Sequence, residues 1–247
     1  MTDNKWKAFC GVREEYRSYT DSLIPQVPEL KKVQEELLAG RDGGSYPLET
    51  PIVFNKALDD LSKDDDIKLI LVADNPGRRE QEEKNQRYLV GPSGKIADGF
   101  FKKNPEMDID FRKNVIILNK TPIHTARTAE LKTLAAMGGA NVEKAITDSQ
   151  KIMAEQLYKF QKALGGIPVW IIGYSEMKKK GIFEVYTDTI KSLYPETEPM
   201  RNNIFLYRHF SMNQFSFDLI DRRQKDESTP DALRRIGQEY RLRILGW

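Results

Sequence analysis

The stretch Lys68-Leu69-Ile70-Leu71-Val72-Ala73-Asp74-Asn75-Pro76-Gly77 decides the fold. Five apolar residues run without polar alternation and stop at a turn signature. An unbroken apolar run bounded in this way is the pattern of a strand buried on both faces of a parallel sheet. The expected strand covers 68–73, and three runs of the same kind follow at 114–118, 168–172 and 203–207. Each is β-branched or aromatic, and each gives way to loop residues. Helical segments are expected between them. They are 94–103; 142–164, with Val142, Ile146, Ile152, Met153, Leu157, Phe160 and Leu164 on one stripe; and a connection over 174–193. A helix over 214–222 follows the last strand. A terminal helix then opens with Thr229 as cap and Pro230 in the first turn, with Leu233, Ile236, Tyr240 and Ile244 on its stripe. Right-handed crossovers turn this β–α–β–α–β–α–β order into an α/β fold, a three-layer α/β/α sandwich around a four-stranded parallel sheet.

Upstream, residues 3–38 read as two helices broken around Pro25 and Pro28, the second carrying Leu30, Val33, Leu37 and Leu38. Residues 41–47, with Gly43-Gly44-Ser45, read as a loop. A further helix is expected over 52–61, ended by the solvated acidic turn Asp64-Asp65-Asp66. The chain is expected to be one domain. Residues 1–62 form a helical segment packed on the core, 63–222 the core, and 223–247 the C-terminal helix.

Composition narrows the class. Of 247 residues, 39% are hydrophobic and 31% charged, which fits a chain with a sizeable core and not a disordered one. The single cysteine, Cys10, excludes an internal disulfide, a Cys-rich zinc site and a four-cysteine iron–sulfur cluster. With two histidines, His124 and His209, a metal site would rest mostly on carboxylates, so no metal or cofactor is expected. The first ten residues are polar around Trp6 and lack a signal-peptide core, and no apolar run is long enough to span a bilayer. A cytoplasmic, monomeric protein without membrane contact is the expectation. The net charge of +2 says little, because a polyanion needs a local basic surface.

In open parallel sheets ligands bind beyond the carboxyl ends of the strands. After the first strand stands Asp74-Asn75-Pro76-Gly77. Asn119-Lys120-Thr121-Pro122-Ile123-His124-Thr125 follows the second, Gly173-Tyr174-Ser175 the third, and Arg208-His209-Phe210-Ser211-Met212-Asn213 the fourth. These loops are expected to converge on one crevice. Gly94-Lys95 does not belong to a phosphate-binding P-loop, since Leu89 stands at the required earlier glycine and Ile96 follows the lysine.

These residues resemble the uracil-DNA glycosylase superfamily over roughly residues 68–213. Asn75-Pro76-Gly77 is similar to the first motif of its single-strand-selective and mismatch-specific branches. Val90-Gly91-Pro92-Ser93-Gly94 is similar to the thermostable, cluster-bearing branch, although this chain lacks the cysteines for a cluster. Asn119 matches the asparagine that reads the pyrimidine, and His209-Phe210-Ser211 resembles the His-Pro-Ser motif with phenylalanine in place of proline. The family's stacking aromatic falls on Leu89, with Tyr88 one residue earlier as the available ring. The resemblance implies a glycosylase-like fold and hydrolysis of the N-glycosidic bond of uracil or a related damaged base in DNA.

The implied roles follow from that chemistry, in which positive charge grows on the sugar and negative charge on the departing base. Asn75 orients the water, and His209 donates to the base oxygen. Asp74 favours the cationic sugar, or else points into its turn. Asn119 offers a donor and an acceptor to the pyrimidine edge, and Tyr88 or Leu89 lies against the extruded base. Gly91, Ser93, Lys95 and Ser211 approach phosphates, and Met212, followed by Asn213, enters the vacated space in the DNA. Between Arg112 and Lys132 lie five basic residues and one acidic, around Asn119 where a phosphate-facing rim is wanted. His124 is a second candidate near the site. A catalytically inactive DNA- or nucleotide-binding relative, and an unrelated small-molecule α/β enzyme, are the alternatives.

Overall fold

The computed structural model describes residues 1–41 and 44–247, so Gly43 of the expected 41–47 loop lies outside the described residues. Four strands form the sheet: β1 (Leu69–Ala73), β2 (Val115–Asn119), β3 (Val169–Ile172) and β4 (Ile204–Tyr207). Every residue in them is buried, as continuous apolar strands require when both faces are covered. All pairings are parallel, in the order β2-β1-β3-β4. The chain steps from β1 to β2 on one side, then crosses back to lay β3 on the other side of β1. The strand order therefore reverses between β1 and β3, where such sheets open a crevice at their carboxyl ends.

The helices are α1 (Asp3–Gln26), α2 (Leu30–Ala39), α3 (Pro92–Lys103), α4 (Glu130–Ala163), α5 (Glu184–Leu193), α6 (Gln214–Arg222) and α7 (Thr229–Leu245). Right-handed crossovers of opposite direction put α3 on one face of the sheet and α4 and α5 on the other. Phe101 of α3 and Phe215 of α6 stack on Trp170 of β3, with centroids 5.6 and 5.8 Å apart. On the opposite side Phe9 of α1 meets Phe160 of α4. The result is a three-layer α/β/α sandwich around a four-stranded parallel sheet. No helix among the described residues is long and apolar enough to cross a membrane.

Three local expectations are corrected. Residues 52–61 are not a helix. Ile52 makes an isolated antiparallel bridge to Ile123, and only Lys56–Leu58 turns, as a 3-10 turn. Asn55 is the cause: its Nδ2 donates to the Ile117 carbonyl at 2.8 Å and its Oδ1 caps the turn, so the segment is tied extended against β2. The helix expected over 142–164 is the second half of α4, which breaks at Gly139 (φ 68°) and begins at Glu130. The cap of α7 is Ser228, whose Oγ accepts from the Asp231 N–H; Thr229 is already helical and its hydroxyl reaches Asn104.

α7 lies directly on β4 because Gly237 has no side chain. A Cβ there would sit 2.6 Å from the Tyr207 hydroxyl and 2.7 Å from the Phe205 Cβ, and Tyr207 donates to the Leu233 carbonyl at 2.9 Å. Gly237→Ala is therefore expected to destabilise by about 1–3 kcal/mol through overpacking, against the roughly 1 kcal/mol that alanine ordinarily gains over glycine in a helix. Chemical denaturation reads the balance, and a net gain in stability would mean that the helix lifts off the strand freely.

Candidate active site

A cleft of about 810 Å³ opens at the reversal point, with walls from all four strand-end loops and the start of α3. At its floor Ala73 pairs in register with Asn119, which brings Asp74 beside Lys120. The Lys120 Nζ contacts Asp74 Oδ1 at 2.6 Å and donates to the Ile172 carbonyl at 2.6 Å. Asp74 Oδ2 accepts from the Thr128 hydroxyl at 3.2 Å. Gly173 presses on the same carboxylate from β3, since a Cβ there would be 2.6 Å from Asp74 Oδ1. The Lys120 side chain is fully buried and that of Asp74 is 13% exposed. Burial pulls the lysine's pKa below its usual value and the Asp74 charge opposes that pull. Asp74 thus faces the cleft as a held carboxylate and does not fold into its turn.

The Asn75 amide is oriented by its partners. Its Nδ2 donates to the Thr125 hydroxyl (2.9 Å) and carbonyl (3.3 Å). A carbonyl only accepts, so the nitrogen must face it. The Oδ1 acceptor has no protein donor among the described residues, and Asn75 is one of the residues that line the cleft. His124 fixes the turn from behind. Its Nδ1 meets the Pro76 carbonyl at 2.8 Å, so Nδ1 carries the proton, and Nε2 accepts from the Tyr46 hydroxyl at 2.8 Å. Burial pushes its pKa down to about 4. His124 is buried away from the cleft and acts as scaffold. Gln34 of α2 donates to its carbonyl at 2.8 Å, which links the N-terminal helices to the site.

His209 lines the opposite wall. The backbone N–H of Ser211 donates to its Nδ1 at 3.0 Å, so Nδ1 is an acceptor and the ring proton of the neutral form sits on Nε2. Burial lowers the pKa below its ordinary value; the Asp74 charge opposes the shift and the Lys120 charge adds to it. The imidazole is therefore neutral at physiological pH and presents a fixed N–H donor. Phe210, where the resembling motif has proline, is buried and stacks on Phe215 with centroids 4.3 Å apart, anchoring the loop to α6. Beyond it Met212 (φ 53°) and Asn213 (φ 57°) adopt consecutive left-handed conformations. Non-glycine residues rarely do so unless the surroundings hold them. Met212 is 75% exposed.

Two of the base-binding expectations are placed elsewhere. Tyr88 belongs to the core: its hydroxyl donates to the Val53 carbonyl at 2.5 Å and accepts from Tyr16 at 2.5 Å, so its ring is not available to an extruded base. The cleft wall at that point is Leu89, whose backbone is left-handed (φ 51°). Asn119 is 1% exposed, and its Oδ1 and Nδ2 have no hydrogen-bond partner among the described residues. It stands beside its register partner Ala73, which lines the cleft, and is not itself among the lining residues. Gly91, Ser93 and Ser211 line the cleft with Asp74, Asn75, Leu89 and His209, whereas Lys95, Met212 and Asn213 stand outside the lining.

Sequence reasoning gave no role to Lys120 or Glu80, and of the basic rim it anticipated only the stretch around Asn119 that holds Arg127. Each strand-end loop supplies an exposed cation to the cleft edge: Arg78 and Arg79 after β1, Arg127 after β2, Lys178 after β3 and Arg208 after β4. Arg208 lies 3.4 Å from Asp218. The other four have no salt-bridge partner among the described residues. Nor is any group of three or more His, Cys, Asp or Glu side chains placed to hold a metal ion among those residues. The arrangement combines a neutral N–H donor, an amide acceptor and a held carboxylate under a positive rim. Protein-family models and curated proteins were searched, and neither search gave a match.

Proposed function

We propose that the protein is a monofunctional DNA glycosylase that hydrolyses the N-glycosidic bond of uracil or a related damaged base, as the resemblance to the uracil-DNA glycosylase superfamily implies. The observation that carries the proposal is the neutral imidazole of His209. Its proton sits on Nε2, in a side chain that lines a cleft with exposed cations at its edge. A fixed donor aimed at a departing base stabilises the anion that forms, typically by about 3–4 kcal/mol of barrier. Asn75 Oδ1 accepts from the attacking water, and the Asp74 carboxylate favours the positive sugar. The rim cations and the uncapped N-terminus of α3, with Gly91 and Ser93, meet the backbone phosphates. Met212 projects from a strained loop tip as an apolar wedge. In this proposal Leu89 takes the place of an aromatic ring against the base.

The test is release of free base by the purified protein from oligonucleotides carrying uracil, hypoxanthine or mismatched thymine, single- and double-stranded. Release from at least one substrate is expected, with affinity that falls steeply as salt rises. Intact oligonucleotides across the panel would overturn the proposal. A second reading, a catalytically silent DNA-binding protein, is favoured by the burial of Asn119 outside the cleft lining; tight binding without release would select it.

A further inference from the structure

Leu89 is held in a conformation that leucine avoids, and three groups hold it. Its N–H donates to Glu80 Oε1 at 2.9 Å. Its carbonyl accepts from Arg112 Nη2 at 2.7 Å. Gly94 of α3 packs so closely on that carbonyl that a Cβ would lie 1.5 Å from the oxygen. The other oxygen of Glu80, Oε2, accepts from the Gly77 N–H at 3.2 Å, in the turn that carries Asn75. One carboxylate thus bridges the two loops that shape this side of the cleft, while itself lining the cleft at 7% exposure. A buried glutamate is rare without such a task.

We propose that Glu80 is a positioning residue: as a carboxylate it locks the Asn75 turn to the Leu89 wall, so that the water-orienting amide and the base-facing surface keep one geometry. The inference rests on the glycosylase reading for its kinetic consequence, and on the two N–H contacts alone for its structural one. Both partners are donors, so the ionised form satisfies both loops. A protonated carboxyl turns a third hydrogen into a site that already faces donors, and one contact weakens.

Burial pushes the Glu80 carboxyl up to about 7, against the pull of the Gly77 and Leu89 N–H groups and the Arg112 charge. The charged and titratable groups around it are Arg112, in the turn before β2, with Asp98 and Arg87 beyond it, and the Tyr88 hydroxyl from the adjoining core. Burial holds His209 below its ordinary value and pushes His124 down to about 4, and loss of the limb near neutrality in Glu80→Gln assigns it to the carboxyl. Base release is then expected to rise by roughly tenfold between pH 6 and pH 8 as the lock ionises. The sign for stability is opposite. A carboxyl whose folded pKa is raised binds its proton more tightly in the native state, so stability falls as pH rises from about 4.5 to about 7.

The experiment has an arm that needs no activity. The backbone amide resonances of Gly77 and Leu89 are followed by NMR from pH 5 to 8.5, in the wild type and in Glu80→Gln, alongside kcat and KM for base release from a uracil oligonucleotide. Both amides are expected to titrate together with a midpoint near 7, and to lose that titration in Glu80→Gln. The variant's kcat is expected to drop by about tenfold, with KM changed less than about twofold and a flat pH profile. Amides that do not titrate would overturn the proposal, as would a variant that keeps the wild-type pH–rate profile. Titrating amides in a wild type that releases no base would leave the lock standing and remove the glycosylase reading instead.

Discussion

Replacing His209 with alanine is expected to reduce base release by roughly 10²–10³-fold while leaving affinity for the oligonucleotide within a few fold. The size follows from where the proton is. The Ser211 N–H occupies Nδ1 at 3.0 Å, so the only ring hydrogen of the neutral form is on Nε2 of a side chain that lines the cleft. Charge develops on the base only in the transition state, so the contact contributes to kcat and little to ground-state binding. Ser211→Ala removes the hydroxyl 2.9 Å from Nδ1 but keeps the backbone N–H. It is expected to cost only a few fold. Acid provides an independent check. Protonating Nδ1 would set two N–H groups against each other, and burial already holds the pKa below its ordinary value. The native state therefore binds fewer protons here than the unfolded chain, and this histidine contributes stability that is lost as pH falls through its depressed pKa. A His209→Ala protein that releases base at the wild-type rate would remove the leaving-group role from His209 and leave the glycosylase activity itself standing.

How much could be read beforehand depended on whether a residue's neighbours in sequence were also its neighbours in space. The four strands were legible because parallel strands buried on both faces need unbroken apolar runs, and each observed strand lies within one residue of its expected start and end. The loops after them were legible as a crevice because ligands in parallel sheets bind beyond the carboxyl ends of the strands, whereas the strand order that opens it at β1 and β3 came only with the fold. Residues 52–61 have the composition of a helix, but Asn55 is claimed by the Ile117 carbonyl, 62 positions away. Tyr88 and Leu89 differ by one position, and the left-handed backbone at Leu89 settles which faces the cleft; no propensity anticipates that conformation for leucine. Glu80 and Lys120 are types that are almost never buried unless paired. The partner of Lys120 is 46 residues away and the backbone partner of Glu80 is 9 residues away, so their burial appears only once the loops are closed.

The Lys120–Asp74 pair carries the largest expected effect on stability. Asp74→Asn leaves a fully buried ammonium without its counter-charge, held by the Ile172 carbonyl and at most a neutral amide oxygen. Removing one partner of a buried pair in this way costs about 3–5 kcal/mol. Lys120→Met is expected to cost less, because the Asp74 side chain is 13% exposed and keeps the Thr128 hydroxyl. The double variant, Asp74→Asn with Lys120→Met, is expected to regain most of the loss, because no unpaired charge remains. Titration separates this from a simple packing defect. Burial already lowers the lysine's pKa, and without Asp74 it must fall further. The native state then binds fewer protons than the unfolded chain between that lowered value and 10.5, so stability rises with pH across the window. The deficit of Asp74→Asn should therefore shrink between pH 7 and about pH 10, the range below the ordinary lysine pKa. Chemical denaturation at the two pH values measures it. A constant deficit would mean that what is lost is the shape of the Asp74 contact with Gly173, whereas a shrinking one assigns it to an ammonium left without its counter-charge.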